Sequence, residues 1–498
     1  MMKINQTLSQ TKKLLIPLLF FSWTQPSGLS QTLVTLEKAL EIAEINSPDI
    51  RHSRLNLQRY EETLNAQYAS YKSKLALSVT PLYYSHGREF YEFYSTWNTS
   101  ETFRSSGAFT ISQPIKITDG ILTISDRFSF QNSYSEFSDE TNQAFSNNLY
   151  IQFDQPLFTY NRSKMQLKEL ELDYENAALS YAIQKLAIEK NVTQSFYNVF
   201  DYQMGLQIAE EEYKNQQISY EIIKNKVEGG LSAMEELYQA ELNLMTSKSN
   251  LQNQQVALEN AKDAFKQLIG LSLYEEIAVL ADVSIPEVTV EMEKAIDHAL
   301  KNRMELRQRE ISIENSQFEM IRTAAMNEFK GNVSVAVGLF GDDEKLQNIY
   351  SSPTDNQQVS VSFEIPIWDW GEKKARLKAA EAAMQSQELY LEDENNNIII
   401  NIRTIYRNLQ NLLTQIAIAD QNQKNAELTY EINLERYRNG DLTSMDLSLF
   451  QNQLSEKKIA YSRALINYKI ELLNLKIQSL WDFIENKSIV PEEFTRSG

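Results

Sequence analysis

The residue types that usually carry chemistry are scarce in this chain. It has no cysteine and three histidines, His52, His86 and His298, scattered without metal-ligand spacing. No phosphate-cradling glycine loop and no Gly-x-Ser-x-Gly elbow occurs, so no enzyme is expected. Two acids stand out instead. Glu236 and Asp446 each lie six residues after a glycine, Gly230 and Gly440. Their contexts are Val227-Glu-Gly-Gly-Leu-Ser-Ala-Met-Glu-Glu-Leu237 and Tyr437-Arg-Asn-Gly-Asp-Leu-Thr-Ser-Met-Asp-Leu447. A glycine ends a helix in the left-handed conformation, and Ser232 or Thr443 can cap the helix that follows. The plain structural role for both acids is to meet the positive end of a helix dipole. Most other acids belong to solvated helix faces.

These two turns sit in two copies of one unit. Residues 148–265 and 358–475 align with a constant offset of 210 and no gap. Asn148-Leu-Tyr-Ile-Gln-Phe-Asp-Gln-Pro-Leu-Phe158 lies over Gln358-Val-Ser-Val-Ser-Phe-Glu-Ile-Pro-Ile-Trp368, and Phe196 and Tyr220 fall on Tyr406 and Tyr430. Earlier in each half, Leu36–Ala43 matches Met292–Ala299 at an offset of 256. The first half therefore carries 46 extra residues between its strands. That insert holds two alternating segments, 107–115 and 121–132, joined by the turn Ile117–Gly120, and reads as an added β-hairpin.

The helices are expected to be very long. From 159 to 227 only Gly205 interrupts the pattern, and the same holds from 371 to 437. Each would span roughly 100 Å at the α-helical rise. Ile398, Ile402, Ile405, Leu409, Leu412 and Ile416 step by 4 and 3, a coiled-coil seam. Leu237, Leu244, Leu251, Leu258 and Phe265 recur every seven residues, as do Leu447, Leu454, Tyr461, Tyr468 and Leu475. The post-turn helices and the pre-strand helices together match one long helix in length. Two short helices stacked end to end could lie beside each long one.

Alternating strands are predicted at about 75–84 and 331–340, and at the matched segments beginning at 148 and 358. Aromatics crowd this region, including Tyr83, Tyr84, Phe90, Trp97, Phe158 and Trp368. Such placement suits a membrane–water interface. Beyond residue 23 no apolar run approaches a spanning helix, so a membrane location requires a β-barrel. One chain has too few strands to close one, but several chains together have enough. Lys12-Lys13, the apolar run Leu14–Trp23 and Ser27-Gly28-Leu29-Ser30 form an expected signal peptide, 1–30. The net charge of −19 makes nucleic acid an unsuitable partner. Without cysteine the chain can form neither disulfides nor a lipidated N-terminal cysteine.

The opening Leu36-Glu-Lys-Ala-Leu with Asn46-Ser-Pro48, the junctions Gln155-Pro-Leu-Phe158 and Ile365-Pro-Ile-Trp368, and the paired glycine turns resemble the TolC-like outer membrane efflux proteins. The resemblance spans about 33 to 480. It implies a mainly α protein with a membrane β-barrel, a trimeric tunnel in which each chain is a tandem repeat. The first repeat would cover 31–269 (strands about 75–157, helices 159–269), with a connector at 270–291. The second would cover 292–480 (strands about 331–366, helices 371–480), followed by a polar, poorly ordered tail, 481–498.

In such a homotrimer four strands per chain make a 12-stranded barrel in outer membrane lipid, above a 12-helix periplasmic tunnel. The extra hairpin would give 18 strands if it joined the wall, and an added hairpin outside the wall is the simpler expectation. The resemblance also implies a passive exit duct docked to a periplasmic adaptor and driven by an inner-membrane pump, with no cofactor. The docking tips would be Glu228, Gly229, Gly230, Leu231 and Ser232, and Asn439, Gly440, Asp441, Leu442 and Thr443. Glu236, Asp446 and Tyr437, which matches a family gating tyrosine, would form the pore constriction, with each acid tripled into a carboxylate ring. The family's second turn has a base and a further acid where this chain has Leu442 and Leu449, so a more hydrophobic closure is expected. The competing classes are a surface coiled-coil structural protein and a soluble periplasmic adaptor. Neither needs both aromatic-rich alternating strands and a half-to-half duplication.

Overall fold

The computed structural model describes residues 32–282, 284–286, 288–439 and 441–491. The expected signal peptide, Gly440 and the end of the tail (492–498) lie outside the described residues. The chain opens with β1 (Thr32–Val34), α1 (Leu36–Asn46) and α2 (Pro48–Ser70). Thr35 caps α1 by accepting from the Lys38 amide at 3.3 Å, and Pro48 occupies the first turn of α2, where its missing N–H costs nothing. Four strands follow: β2 (Lys74–Tyr91), β3 (Thr96–Ile115), β4 (Gly120–Ser135) and β5 (Glu140–Leu157). Then come α3 (Arg162–Glu228) and α4 (Met234–Ile269), joined by the first glycine turn, and the short β6 (Ile277–Val279). The second half repeats the order with α5 (Met292–Asn302), α6 (Met304–Ala324), β7 (Lys330–Asp343), β8 (Thr354–Glu364), α7 (Glu372–Asn439) and α8 (Ser444–Ser479). It closes with β9 (Trp481–Asp482) and β10 (Lys487–Ser488).

The helices pack lengthwise, as their lengths suggested. Both α2 and α4 lie along α3, and α6 and α8 lie along α7. Each half thus contributes two helical columns. In the second half Ile398, Ile402, Ile405, Leu409 and Ile416 are all buried against Leu465, Tyr468, Leu472 and Leu475. In the first, Phe196 and Phe265 meet edge-on at 6.1 Å in a buried core. Between the halves, Leu172 and Leu179 of α3 pack on Met304 and Ile311 of α6. Arg307 braces this seam, its guanidinium reaching Glu175 at 2.6 Å and Glu314 at 2.9 Å. One stretch departs from the heptad pattern. Near the turn, Leu237, Leu244 and Leu251 are only half-buried, and Ala240 and Ser247 form the buried line instead. Small side chains there let the helices approach closely.

The six long strands form one antiparallel meander in the order β2-β3-β4-β5-β7-β8. This corrects the expectation for the extra hairpin. Its two segments are β3 and β4, in the middle of the sheet and paired along their length on both sides. The reason is alternation in phase with the neighbours. Ile111, Ile124, Ile151 and Val337 fall in one cross-strand row on one face, and Thr110, Ser125 and Tyr150 in a row on the other. The middle of each strand keeps one face largely apolar and the other largely polar, with Ser105, Gln357 and the bonded pair Asp126 and Asn147 as polar residues on the apolar face; Asn147 Nδ2 donates to Asp126 at 2.7 Å. Aromatics gather at both ends of the sheet. Phe158, Phe329 and Phe363 cluster at the helix end, and Phe90, Trp97, Tyr91 and Phe137 at the other.

Two more findings lie beyond the sequence reading. The connector is tied down, because β6 pairs in parallel with β1 through Thr32–Ile277, Leu33–Ala278 and Val34–Val279. The tail is not loose over 481–491, since β9 and β10 pair as a small hairpin. Asp482 in that hairpin is buried and bonds Lys476 at 3.2 Å. Among the described residues no helix is long and apolar enough to cross a membrane.

Candidate functional site

The two glycine turns, 210 residues apart in sequence, meet at the end of the helical pack remote from the sheet. The first is a Schellman stop. Gly230 has φ +73°, the Leu231 amide donates to the Lys226 carbonyl at 2.7 Å, and the Gly230 amide donates to Val227 at 3.0 Å. At the second, the Asp441 amide makes the equivalent bond to the Arg436 carbonyl at 2.9 Å. Together the turns line one open cleft of about 560 Å³. Glu236, Tyr437 and Asp446 all face it, beside Lys226, Leu442 and Thr443.

The acids are held differently. Thr443 caps α8 as expected: its hydroxyl accepts from the Asp446 amide at 3.2 Å and donates to the Asp446 carboxylate at 2.7 Å. Ser232 does not cap α4. The cap position falls on Ala233, whose methyl group cannot accept a hydrogen bond, and the Ser232 hydroxyl donates to the Glu236 carboxylate at 2.5 Å. The turn is one residue longer than the capping expectation allowed, and the hydroxyl follows the acid.

Tyr437 is 3 % exposed, and its hydroxyl shares a hydrogen bond with Ser219 of α3 at 3.2 Å. Lys226 lies 5.5 Å from its ring centroid. Burial pushes the Tyr437 hydroxyl above its ordinary value, the Ser219 bond opposes this, and the Glu236 charge adds to it. One turn further from the tip, Gln216 donates to Ser448 at 3.0 Å. These links fasten α3 to the α7–α8 pair just above the mouth.

The histidines play no joint part: His298 sits against Trp481 and Ser479, and His86 pairs with Glu101 on the sheet. Among the described residues no group of three or more acids and histidines is placed to hold a metal ion. A sheet with one apolar face, a long helical pack and a polar mouth at its far end is the form of a membrane-anchored conduit. The family model for outer membrane efflux proteins matches residues 122–271 and 295–477, well over half of the chain. The chain belongs to that family. It is therefore an outer-membrane channel component of multi-protein efflux systems, a passive channel and not an enzyme, with helices reaching into the periplasm.

Relatives agree with this placement in the efflux family. The chain is 22 % identical over 330 residues to the cation efflux system protein CusC of Escherichia coli O157:H7, covering 65 % of this chain and 70 % of that protein. It is 20 % identical over 289 residues to the probable outer membrane lipoprotein SilC of Salmonella typhimurium, 56 % of this chain and 61 % of that one. Its fold resembles the CmeC outer membrane channel of Campylobacter jejuni, with a TM-score of 0.69 at 14 % identity over 92 % of this chain and 87 % of that one. The open-state MtrE channel of Neisseria gonorrhoeae gives 0.64 at 14 % identity, covering 91 % and 90 %.

Sequence reading placed both turns at one mouth but missed the partners of Tyr437. Ser219 and Lys226 lie on the other repeat, as does Gln216, the partner of Ser448, and the aligned copy has Val227 where Tyr437 stands. Only the packing of α3 on the α7–α8 pair brings them together.

Proposed function

We propose that three copies of this chain form a passive exit duct through the outer membrane and periplasm, docked at its helical tips to a periplasmic adaptor and driven by an inner-membrane pump. The observation that carries this reading is the position of both turns at one end of the helical pack, opposite the apolar-faced sheet. The docking surface comprises Glu228, Gly229, Gly230, Leu231 and Ser232 with Asn439, Gly440, Asp441, Leu442 and Thr443. Leu231 and Met445 are 82 % and 68 % exposed there, which supports a covering partner. Glu236 and Asp446 line the constriction, and threefold repetition turns each into a ring of carboxylates that favours cations. Tyr437 closes the mouth by bonding across the two helix pairs, with Leu442 adding an apolar seal.

Single-channel conductance in a planar bilayer tests the reading, comparing the native protein with Glu236→Gln and Asp446→Asn. A cation-selective pore of low conductance, changed by either substitution, is the expected result. A pore indifferent to both removes the rings and keeps the duct. A soluble protein that forms no pore overturns the reading.

A further inference from the structure

We infer that the inserted hairpin is part of the membrane wall, so that three chains, the number taken from the proposed function, close an eighteen-stranded barrel. Each chain offers six strands with both edges unpaired, β2 and β8, whose residues are exposed throughout. An open edge cannot sit in lipid, because its N–H and C=O groups would lack partners. The six strands run alternately up and down, so β8 of one copy meets β2 of the next antiparallel, and the ring closes without a parallel pair. A second copy of this chain brings to each edge a strand with the same alternation.

The hairpin is also fastened to the helices. Its turn packs on the start of α3, where the Asp119 carboxylate accepts from the Ser163 amide at 3.1 Å and the Arg162 amide at 3.3 Å. Asn161, the cap of α3, donates back to the Lys116 and Ile117 carbonyls at 2.8 and 2.9 Å. An appendage outside the wall would leave that helix end without these partners.

The native chain has no cysteine, so introduced thiols can be labelled cleanly. Nitroxide labels would be placed at Ile111→Cys and Ile124→Cys, and separately at their neighbours Thr110→Cys and Ser125→Cys, in the full-length protein in vesicles. The expected result is oxygen access with shielding from a water-soluble nickel chelate at the first two, and the reverse at the second two. Chelate access at all four overturns the inference by placing the hairpin in water. Paired cysteines on β8 (Val359, Val361) and β2 (Leu75, Leu77) then report copy number after oxidation. A ladder ending at three copies, with the alternating access pattern, gives eighteen strands. A ladder ending at two overturns the trimer and the count of eighteen, while the labels still report separately whether the hairpin lies in the wall.

Discussion

The two repeats match in their helices and differ in their strands. Both α3 and α7 have nearly one length, 67 and 68 residues, and α4 and α8 are both 36. Yet the first half carries four long strands and the second two. Helices that run side by side to a common mouth must end together, so any change in length in one copy would displace its turn. A sheet has no such constraint, because a hairpin added between two strands leaves the direction of both unchanged. Duplication has kept the part whose ends must coincide and relaxed the part that only has to close.

The ends of α4 and α8 sharpen this contrast. Gly270 ends α4 with φ +77°, and the aligned residue ending α8 is Leu480 with φ +54°. A Cβ at Gly270 would lie 2.3 Å from the Asn46 carbonyl oxygen, so the first copy needs glycine for both conformation and space. Leu480 is 1 % exposed and fills the seam with Leu172 and Met304. Making the first copy like the second, Gly270→Leu, should cost the most: about 3–5 kcal/mol from left-handed strain plus overpacking. Chemical denaturation in detergent reads it. Leu480→Ala should cost about 2–4 kcal/mol, because it keeps the strained backbone and opens a cavity. If the two substitutions cost the same, the repeats share one stop after all.

The next test separates the anchors beyond those stops. Lys266 and Lys476 are aligned, the first buried and the second half-buried, but Lys266 bonds Asp263 and the Leu273 carbonyl, whereas Lys476 pairs with Glu189 and Asp482. Burial pushes the Asp482 carboxyl up, and the Glu485 and Ile484 amides with the Lys476 ammonium outweigh it, leaving it below the usual carboxylate value. A lowered folded value means the stabilisation is fully present above the unfolded value, near 4, and is lost as pH falls through the folded one. Asp482→Asn should therefore melt below the native protein at neutral pH, and the gap should close in acid. A gap that persists at low pH would mean the side chain acts by packing alone.

Much of this was legible from periodicity and spacing: the duplication, the two turns, the helix lengths and the α7 seam at Ile398–Ile416. The hairpin was legible as strands but not as wall, since alternation gives a strand two faces without saying which sheet shares them. Its phase becomes visible only when Ile111 and Ile124 fall opposite one another and in line with Ile151. At the mouth Glu236 and Asp446 were singled out by their place after glycines in turns that resemble the family's, and Tyr437 by the resemblance alone. Ser219 and Gln216 were not, because polar residues on a helix face look solvated until another helix covers them. The tail misled for a similar reason, its short strands being too brief for any period to register.

The smallest expected effect lies at the mouth, where the copies differ in the residue at the helix cap. Thr443 caps α8, and the aligned Ala233 leaves α4 without a side-chain cap. Thr443→Ala should lose about 1 kcal/mol locally, and Ala233→Thr should gain a comparable amount. Amide exchange of Asp446 and Glu236 reads each change directly, faster in the first variant and slower in the second. The pair also asks which turn moves. If the uncapped α4 start is the looser element, Ala233→Thr should slow its exchange and lower the open time of the pore in the bilayer assay. Slower exchange with unchanged open time would place the moving part at the Tyr437–Ser219 contact instead, where α3 is fastened to α7.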